Sequence, residues 1–439
     1  MMSRILFIEN RYSTFFWSAM ADLLIEDGHE VFFVVENHSF KPVGGNVYVI
    51  PYPTKTDLAA SSGSQIFVQI EKSDRAINYF GLKNSSHYSY YFKKIEQYIV
   101  DIKPDIVFGE STAFHELLTI EICKQLNIMY LQPGSCRYPA GRFSFYKYDT
   151  LETYSGSNQK MDNDRALSMI NKIVNRAIVP DYMIKPSDSV GIKIKRMLDL
   201  LKHTKAYFEG EHYCTPNPFL KIALERKRKR NIERWDKMTE HKQQILGCQS
   251  FKILYPLQMQ PEANLDVWGR KYNDQLRLIK DIITTTDNEV MIVVKPNPKS
   301  KYELSSELID YVNGCNRIIP IKHGVPMAEV FSEVDMVVTV TGTIAIESIL
   351  SNKPVVTLIK TMNNVSKNCI FISSLSELQS VVDVIRKSEF PIIDNTEKIA
   401  FINMLNKTSF AGLPYGNSDI TNTADCKVAF DSILKADGK

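Results

Sequence analysis

Short apolar runs, each followed by a helically spaced segment, recur through this chain and restrict it to parallel α/β winding. Residues 5–8 read as a strand, 13–27 as a helix, and Gly28 leads into a second strand at 31–35. The rhythm returns at 105–108, 113–126 and 128–131. It is almost uninterrupted in the second half, with strands expected at 251–255, 290–294, 317–320, 336–340 and 355–358. Helices at 272–284, 302–312, 327–332 and 344–350 fill the intervals, and a further one is expected at 375–387. Connections this short suit helices on both faces of a parallel sheet. Residues 59–91 are Ser-rich and weakly patterned, and read as loop with some helix.

With 439 residues the chain exceeds one ordinary core, so two domains are expected. The boundaries fall at 1–180 for an N-terminal domain, 181–247 for a basic helical insertion, 248–410 for a C-terminal domain and 411–439 for a tail. A formal charge of +3 is too small to argue for nucleic acid. The seven cysteines are scattered singly without a Cys-x-x-Cys pair, which favours reduced thiols and a cytoplasmic setting over zinc or disulfides. The apolar run near the N-terminus is too short for a signal peptide and is interrupted by Glu9. No apolar stretch reaches the roughly 20 residues that span a bilayer.

Three strand ends in the second half carry chemistry, and strand ends are where open parallel sheets bind ligands. Thr341-Gly342-Thr343 closes a strand and opens a helix. Free backbone N–H groups there, the room left by glycine and two hydroxyls make an anion site, with Glu347 placed to accept hydrogen bonds from a ribose. The plainer role for Thr343 is a helix cap, and for Glu347 a surface charge. Lys295-Pro-Asn297-Pro follows the strand at 290–294; prolines on both sides of Asn297 stiffen the loop, and Lys295 offers a point charge to a phosphate or carboxylate. Its plainer role is an ordinary turn. Glu262 and Asp266 lie in an irregular Pro-containing loop beyond the strand at 251–255. A carboxylate there can act as base or nucleophile at a sugar's anomeric carbon. Asp is also a good helix cap, so the chemistry is assigned to Glu262 ahead of Asp266.

In the first half, Glu110 follows the strand at 105–108 and Arg137 follows the strand at 128–131. Both are candidate acceptor-binding groups, and both could be plain turn residues. The run Arg226-Lys227-Arg228-Lys229-Arg230 near Trp235 reads either as a solvated helix face or as a patch for anionic lipid headgroups with Trp235 as interfacial anchor.

The order Pro-Leu-Gln…acid at 256–262, Lys-Pro-Asn-Pro at 295–298 and Thr-Val-Thr-Gly-Thr…Glu-Ser-Ile-Leu…Lys-Pro-Val at 339–355 resembles the bacterial capsule-synthesis and lipopolysaccharide proteins that include the retaining β-Kdo transferases. The detailed match covers 255–356, and the N-terminal half matches in general layout. The resemblance implies a GT-B-like α/β fold: two doubly wound Rossmann-type domains facing across a cleft, with the basic helical insertion. It implies a glycosyltransferase of surface polysaccharide synthesis, acting on a glycan or lipid-linked acceptor, with CMP-Kdo a candidate donor. Glu262 takes the place of the carboxylate at the donor's anomeric carbon, and Thr341, Gly342, Thr343, Glu347 and Lys295 become donor contacts. Asn297 stands where the family usually has His; it can hydrogen-bond but cannot titrate near neutrality. No cofactor or metal is expected, the donor being a substrate. Peripheral contact with an anionic inner membrane face is the remaining partner expectation.

Two other readings share the layout. A sugar-nucleotide epimerase of the UDP-GlcNAc 2-epimerase type would explain the Pro-Asn-Pro turn but expects Gly-Gly where this chain has Thr-Gly-Thr. An inactive polysaccharide-binding relative would explain Asn297.

Overall fold

The computed structural model describes residues 2–11, 13–60, 63–178, 190–240, 249–414 and 420–437. The chain forms two compact units, one from 1–160, 179–221 and 404–439, the other from 161–178 and 222–403. It therefore changes unit at 161, 179, 222 and 404.

The first unit's sheet contains β1 (Arg4–Ile8), β2 (Glu30–Val35), β3 (Asn46–Val49), β4 (Ile106–Phe108), β5 (Met129–Ser135) and β6 (Arg142–Lys147). The second unit has β7 (Phe251–Pro256), β8 (Val290–Lys295), β9 (Ile318–Pro320), β10 (Met336–Thr339), β11 (Val355–Thr357) and β12 (Cys369–Phe371). The chain then returns to the first unit as β13 (Phe410–Ala411). Strand order in the first sheet is β13-β6-β5-β4-β1-β2-β3, and in the second β12-β11-β10-β7-β8-β9. Five strands of the first sheet and all six of the second pair in parallel; β6 and β13 are antiparallel additions. Each sheet thus winds outward in both directions from its first strand. The winding reverses between β1 and β4 in one unit and between β7 and β10 in the other. These reversals open crevices at the carboxyl ends of the strands.

Burial follows from the composition of the strands. Residues 5–8 of β1 and the whole of β10 are inaccessible on both faces, as continuous apolar runs in a helix-covered sheet should be. The first core is aromatic, with Phe7, Trp17, Phe33, Phe108, Phe145 and Phe430 packed together. The second is aliphatic, built on Ile253, Ile292, Val294, Met336 and Val338. Helix Thr14–Glu26 ends at Gly28, whose φ of +83° lets His29 N–H reach back to the Leu24 carbonyl at 3.0 Å.

Several elements differ from the sequence expectation. About half of residues 59–91 is helical, more than the loop with some helix expected there: Gln65–Glu71, Arg75–Asn78 and the start of a long helix, Tyr88–Ile102. The loop expected after residue 131 is strand: β5 runs through Gln132-Pro-Gly-Ser135 because β6 folds back on it from Ser135↔Phe143 to Leu131↔Lys147. Of the tail, Ile420–Asp437 is a helix that buries Cys426, Ala429, Phe430 and Ile433 in the first core. Helix Asn163–Val174, capped by Asp162, packs on helix Ile344–Leu350 of the second unit.

The basic segment contains helices Val190–Glu209 and Pro218–Thr239, while 179–189 and 241–248 lie outside the described residues. Trp235 is not an interfacial anchor. It is fully buried in the second core and its Nε1 donates to the Ile321 carbonyl at 2.8 Å. The helical period explains this: Asn231, Trp235 and Thr239, four apart, all face inward. No helix among the described residues is long and apolar enough to cross a membrane.

Candidate functional site

The crevice of the second unit is built from the loop after β7 and the turn after β10. Three glutamines shape the loop, and only Gln258 belongs to a motif read in the sequence. Gln275 accepts from Tyr255 Oη at 3.1 Å and Gln258 N–H at 2.8 Å, and donates to the Gln258 carbonyl and to Gln260 Oε1, both at 2.8 Å. Gln260 in turn donates to Asp266 Oδ1 at 2.9 Å. A fully connected buried network of this kind fixes one loop conformation. Gln275 lies 13 residues beyond Glu262, in the first turn of a separate helix, so local pattern could not reveal it.

Within this frame the two candidate carboxylates differ. Asp266 is buried and accepts from Gln260 and, at 2.9 Å, from the Glu262 N–H, closing the short helix Ala263–Asp266. Its geometry is that of a group holding the loop. Glu262 is half-buried, and no protein group is hydrogen-bonded to its carboxylate among the described residues. Of the two, it is the one left available for chemistry.

The turn after β10 is tied directly to this loop. Thr341 Oγ1 lies 3.1 Å from Gln258 Oε1 and 3.0 Å from the Asn264 carbonyl. The Gln258 Nε2 beside it is buried and has no partner among the described residues, leaving a donor for a bound molecule. Gly342 N–H donates to Thr339 Oγ1 at 3.0 Å, and a Cβ on Gly342 would lie 2.2 Å from that oxygen, so the turn requires glycine. Thr343 precedes helix Ile344–Leu350, but its side chain makes no capping bond, contrary to the plainer role considered for it. The helix is only seven residues long.

Glu347 is held by Arg176, whose Nη2 is 2.7 Å away. Arg176 comes from the end of the helix Asn163–Val174 region and also lies over the Phe331 ring, 4.7 Å from its centroid. An arginine 171 residues earlier in the chain is invisible to motif reading, yet it occupies the carboxylate expected to meet a ribose.

Lys295 ends β8 with only 3 % of its surface exposed. Its Nζ donates to the Pro296 carbonyl at 3.3 Å, and among the described residues no hydrogen bond or ion pair joins it to the Thr341–Thr343 turn. Burial pulls its ammonium down to about 8, with Asp236 opposing the shift. A lysine lowered on folding binds a proton less readily in the native state, so stability rises with pH between the folded value and the unfolded value of about 10.4. Lys295→Met should therefore be more stable than the parent at pH 7, by on the order of 1–3 kcal/mol, with the gap closing towards pH 10. Urea titrations of both proteins at several pH values give this difference, and a gap independent of pH would mean that Lys295 is not the titrating group. Asn297 spends its side-chain oxygen on Lys299 N–H at 2.8 Å and its carbonyl on Ser300, so it builds its own loop.

The first unit's crevice, between the ends of β1 and β4, contains Glu110. Its carboxylate accepts from Ser13 Oγ, from Thr112 Oγ1 at 3.3 Å and from Asn10 Nδ2 at 3.5 Å. Burial and the adjacent Glu116 push it up to about 7. Glu9, buried beneath it at the end of β1, is pushed by burial up to about 8. A pocket of about 30 Å³ lies here, lined in part by Glu9, Asn10, Arg11, Glu36, His115 and Cys214. Arg137 does not line it; it lies half-buried on the hairpin turn between β5 and β6, a consequence of the extended β5. The sequence pattern gave no sign of Glu9, Glu36 and Glu116 as a buried acidic group, because each sits in a different βα connection or helix.

A family model for capsule polysaccharide biosynthesis proteins matches residues 158–365. This span holds the whole second-unit crevice together with Arg176. No curated protein matches the chain. Among solved structures, UDP-GlcNAc 2-epimerase from Methanocaldococcus jannaschii is similar at 12% identity, covering 91% of this chain and 98% of that one with a TM-score of 0.29. MurG from Acinetobacter baumannii gives 10% identity, 98% and 99% coverage and a TM-score of 0.28. A glycosyltransferase from Rickettsia africae gives 12%, 100% and 99%, and 0.29. Likeness at this level says nothing about substrate or reaction. Over residues 158–365, then, this chain is similar to capsule polysaccharide biosynthesis proteins.

Proposed function

We propose that this protein is a nucleotide-sugar-dependent glycosyltransferase of surface polysaccharide synthesis. The observation that carries the reading is the second-unit crevice, where a Glu262 carboxylate unpaired among the described residues sits on a loop tied through Thr341 to the Thr-Gly-Thr turn. The capsule-synthesis match over the same residues supports it. On this reading Glu262 attacks the anomeric carbon or takes the acceptor's proton, and Asp266 positions it. Thr341, Gly342 and Thr343 surround the leaving phosphate, with Gln258 Nε2, which has no partner among the described residues, as a further donor. Glu347 meets the ribose only if its pair with Arg176 opens or if its second oxygen serves. Lys295 and Asn297 would flank the donor without touching the turn. Glu110, and less directly Arg137, would serve the acceptor.

The donor follows from experiment. Incubating the protein with CMP-Kdo, UDP-GlcNAc and other nucleotide sugars, with and without glycan acceptors, and weighing the products by mass spectrometry tests the reading. Acceptor-dependent nucleotide release supports transfer, and a change of sugar configuration without net nucleotide loss means epimerisation. Calorimetry with CMP and UMP tests the turn separately; if neither binds, the donor assignment fails.

A lipid-linked acceptor would place the enzyme at a membrane surface. With Trp235 buried, the basic run has no aromatic anchor, but helix Val190–Glu209 offers another. Val190, Ile194, Met197, Leu198 and Leu201 are exposed at helical spacing, with exposed Lys202 and Lys205 beside them. An apolar stripe flanked by lysines suits the interface of an anionic bilayer. Replacing Met197, Leu198 and Leu201 by Gln should abolish flotation with anionic vesicles, while exchanging Arg226, Lys227, Lys229 and Arg230 for Gln should weaken it chiefly at low salt. Unchanged flotation of the first variant, or none of the parent, counts against membrane contact.

A further inference from the structure

The first-unit pocket brings together three side chains that the proposed transfer chemistry does not use. Glu36 follows β2, His115 lies in the first turn of helix Phe114–Gln125, and Cys214 lies in the connection between helices Val190–Glu209 and Pro218–Thr239. Each offers a ligand atom, and the three atoms lie within 4.8 Å of one another. Glu36 and His115 are only 1 % and 3 % exposed, and Glu36 Oε1 is buried without a hydrogen-bond partner among the described residues.

The spacing fits a metal better than a mere cluster would. A tetrahedral centre with sulfur at about 2.3 Å and imidazole nitrogen at about 2.0 Å separates those two donors by about 3.5 Å. Cys214 Sγ and His115 Nδ1 are 3.5 Å apart. His115 Nε2 is 2.8 Å from the Glu9 carbonyl. Donating its proton there leaves the Nδ1 lone pair directed at the cysteine, which is how metal-binding histidines are usually oriented by an outer partner. The cysteine is held as well: Tyr213 N–H and Cys214 N–H both donate to Glu211 Oε1 at 2.7 Å, and Arg11 donates to the Cys214 carbonyl at 2.7 Å. The Arg11 charge works against a nearby cation, but its guanidinium is engaged with that carbonyl and with Thr215 Oγ1. The pocket volume of about 30 Å³ leaves room for one or two waters to complete the coordination.

We propose that Glu36, His115 and Cys214 bind a divalent transition-metal ion of the zinc type, through one carboxylate oxygen, one imidazole nitrogen and one thiolate. Binding displaces the thiol proton of Cys214 and the carboxyl proton of Glu36 to solvent, and a water fills the fourth position. The set comes from three separate parts of the chain, so the ion would clasp the end of β2, the helix after β4 and the 210–217 loop together.

Cobalt(II) is the probe. The full-length chain is stripped with chelator and titrated with Co²⁺, following the near-ultraviolet thiolate-to-cobalt charge-transfer band, and zinc content after reloading with Zn²⁺ is measured by elemental analysis. One equivalent of metal and a charge-transfer band are expected from the parent. Cys214→Ser should lose the band, and His115→Gln and Glu36→Gln should each weaken binding at least about 10-fold, since even outer-shell changes cost that much. Cys315→Ser, altering a cysteine of the second unit that does not line the pocket, should keep both band and stoichiometry. Circular dichroism of each variant separates lost ligands from lost fold, and the near-isosteric Glu36→Gln keeps the test decisive if Cys214→Ser unfolds. A parent that binds no metal after reloading, a band that survives in Cys214→Ser, or full affinity in folded Glu36→Gln would overturn the site and leave a thiol–imidazole hydrogen bond only.

Discussion

Glu262→Gln should reduce sugar transfer by at least about 10²-fold while nucleotide binding stays within a few-fold of the parent. The amide keeps the shape of the side chain but removes both nucleophile and base. The backbone around it has no reason to move, because the loop is fixed by Gln258, Gln260, Gln275 and Asp266 and not by the Glu262 carboxylate. Single-turnover rates and calorimetry on the same preparation separate the two effects. Turnover near that of the parent would take the chemistry away from Glu262. The contrasting variant is Asp266→Asn: because Asp266 accepts from both Gln260 and the Glu262 N–H, it should lower stability and activity together.

Trp235→Ala should be among the most destabilising single changes in the second unit, at about 3–5 kcal/mol. The indole is fully buried among the aliphatic side chains of that core, and its removal leaves a cavity and an unpaired Ile321 carbonyl. Chemical denaturation followed by tryptophan-independent far-ultraviolet circular dichroism gives the change directly. The same variant, where still folded, should bind vesicles like the parent. Loss of vesicle binding without loss of stability would restore the interfacial role that the buried position contradicts.

The sequence carried the α/β winding because the relevant signals are local. A buried parallel strand is a short apolar run, a crossing helix has its own period, and both can be read within about a dozen residues. The motif order at 256–262, 295–298 and 339–355 was legible for the same reason, and it correctly marked strand ends: β7, β8 and β10 all terminate there. The elements that were missed are those whose stability comes from partners far along the chain. β5 continues through a Pro-Gly pair only because β6 hydrogen-bonds to it, and helix Ile420–Asp437 is ordered by an aromatic core laid down by the first strands.

The site divides in the same way. Which residue types stand at the strand ends is a property of the sequence alone, and Glu262, Thr341, Gly342 and Thr343 follow from it. Which of them are free to act is decided by hydrogen-bond partners that tertiary folding supplies. Asp266 and Asn297 are turned inward to build their loops, Glu347 is met by Arg176, and Lys295 is buried against its own neighbour's carbonyl. The Glu36, His115 and Cys214 group has no sequence signature, since its spacings of 79 and 99 residues match no metal motif. A linear pattern records what each position can offer; only the folded chain, by spending some of those donors and acceptors on itself, determines what is left for a ligand.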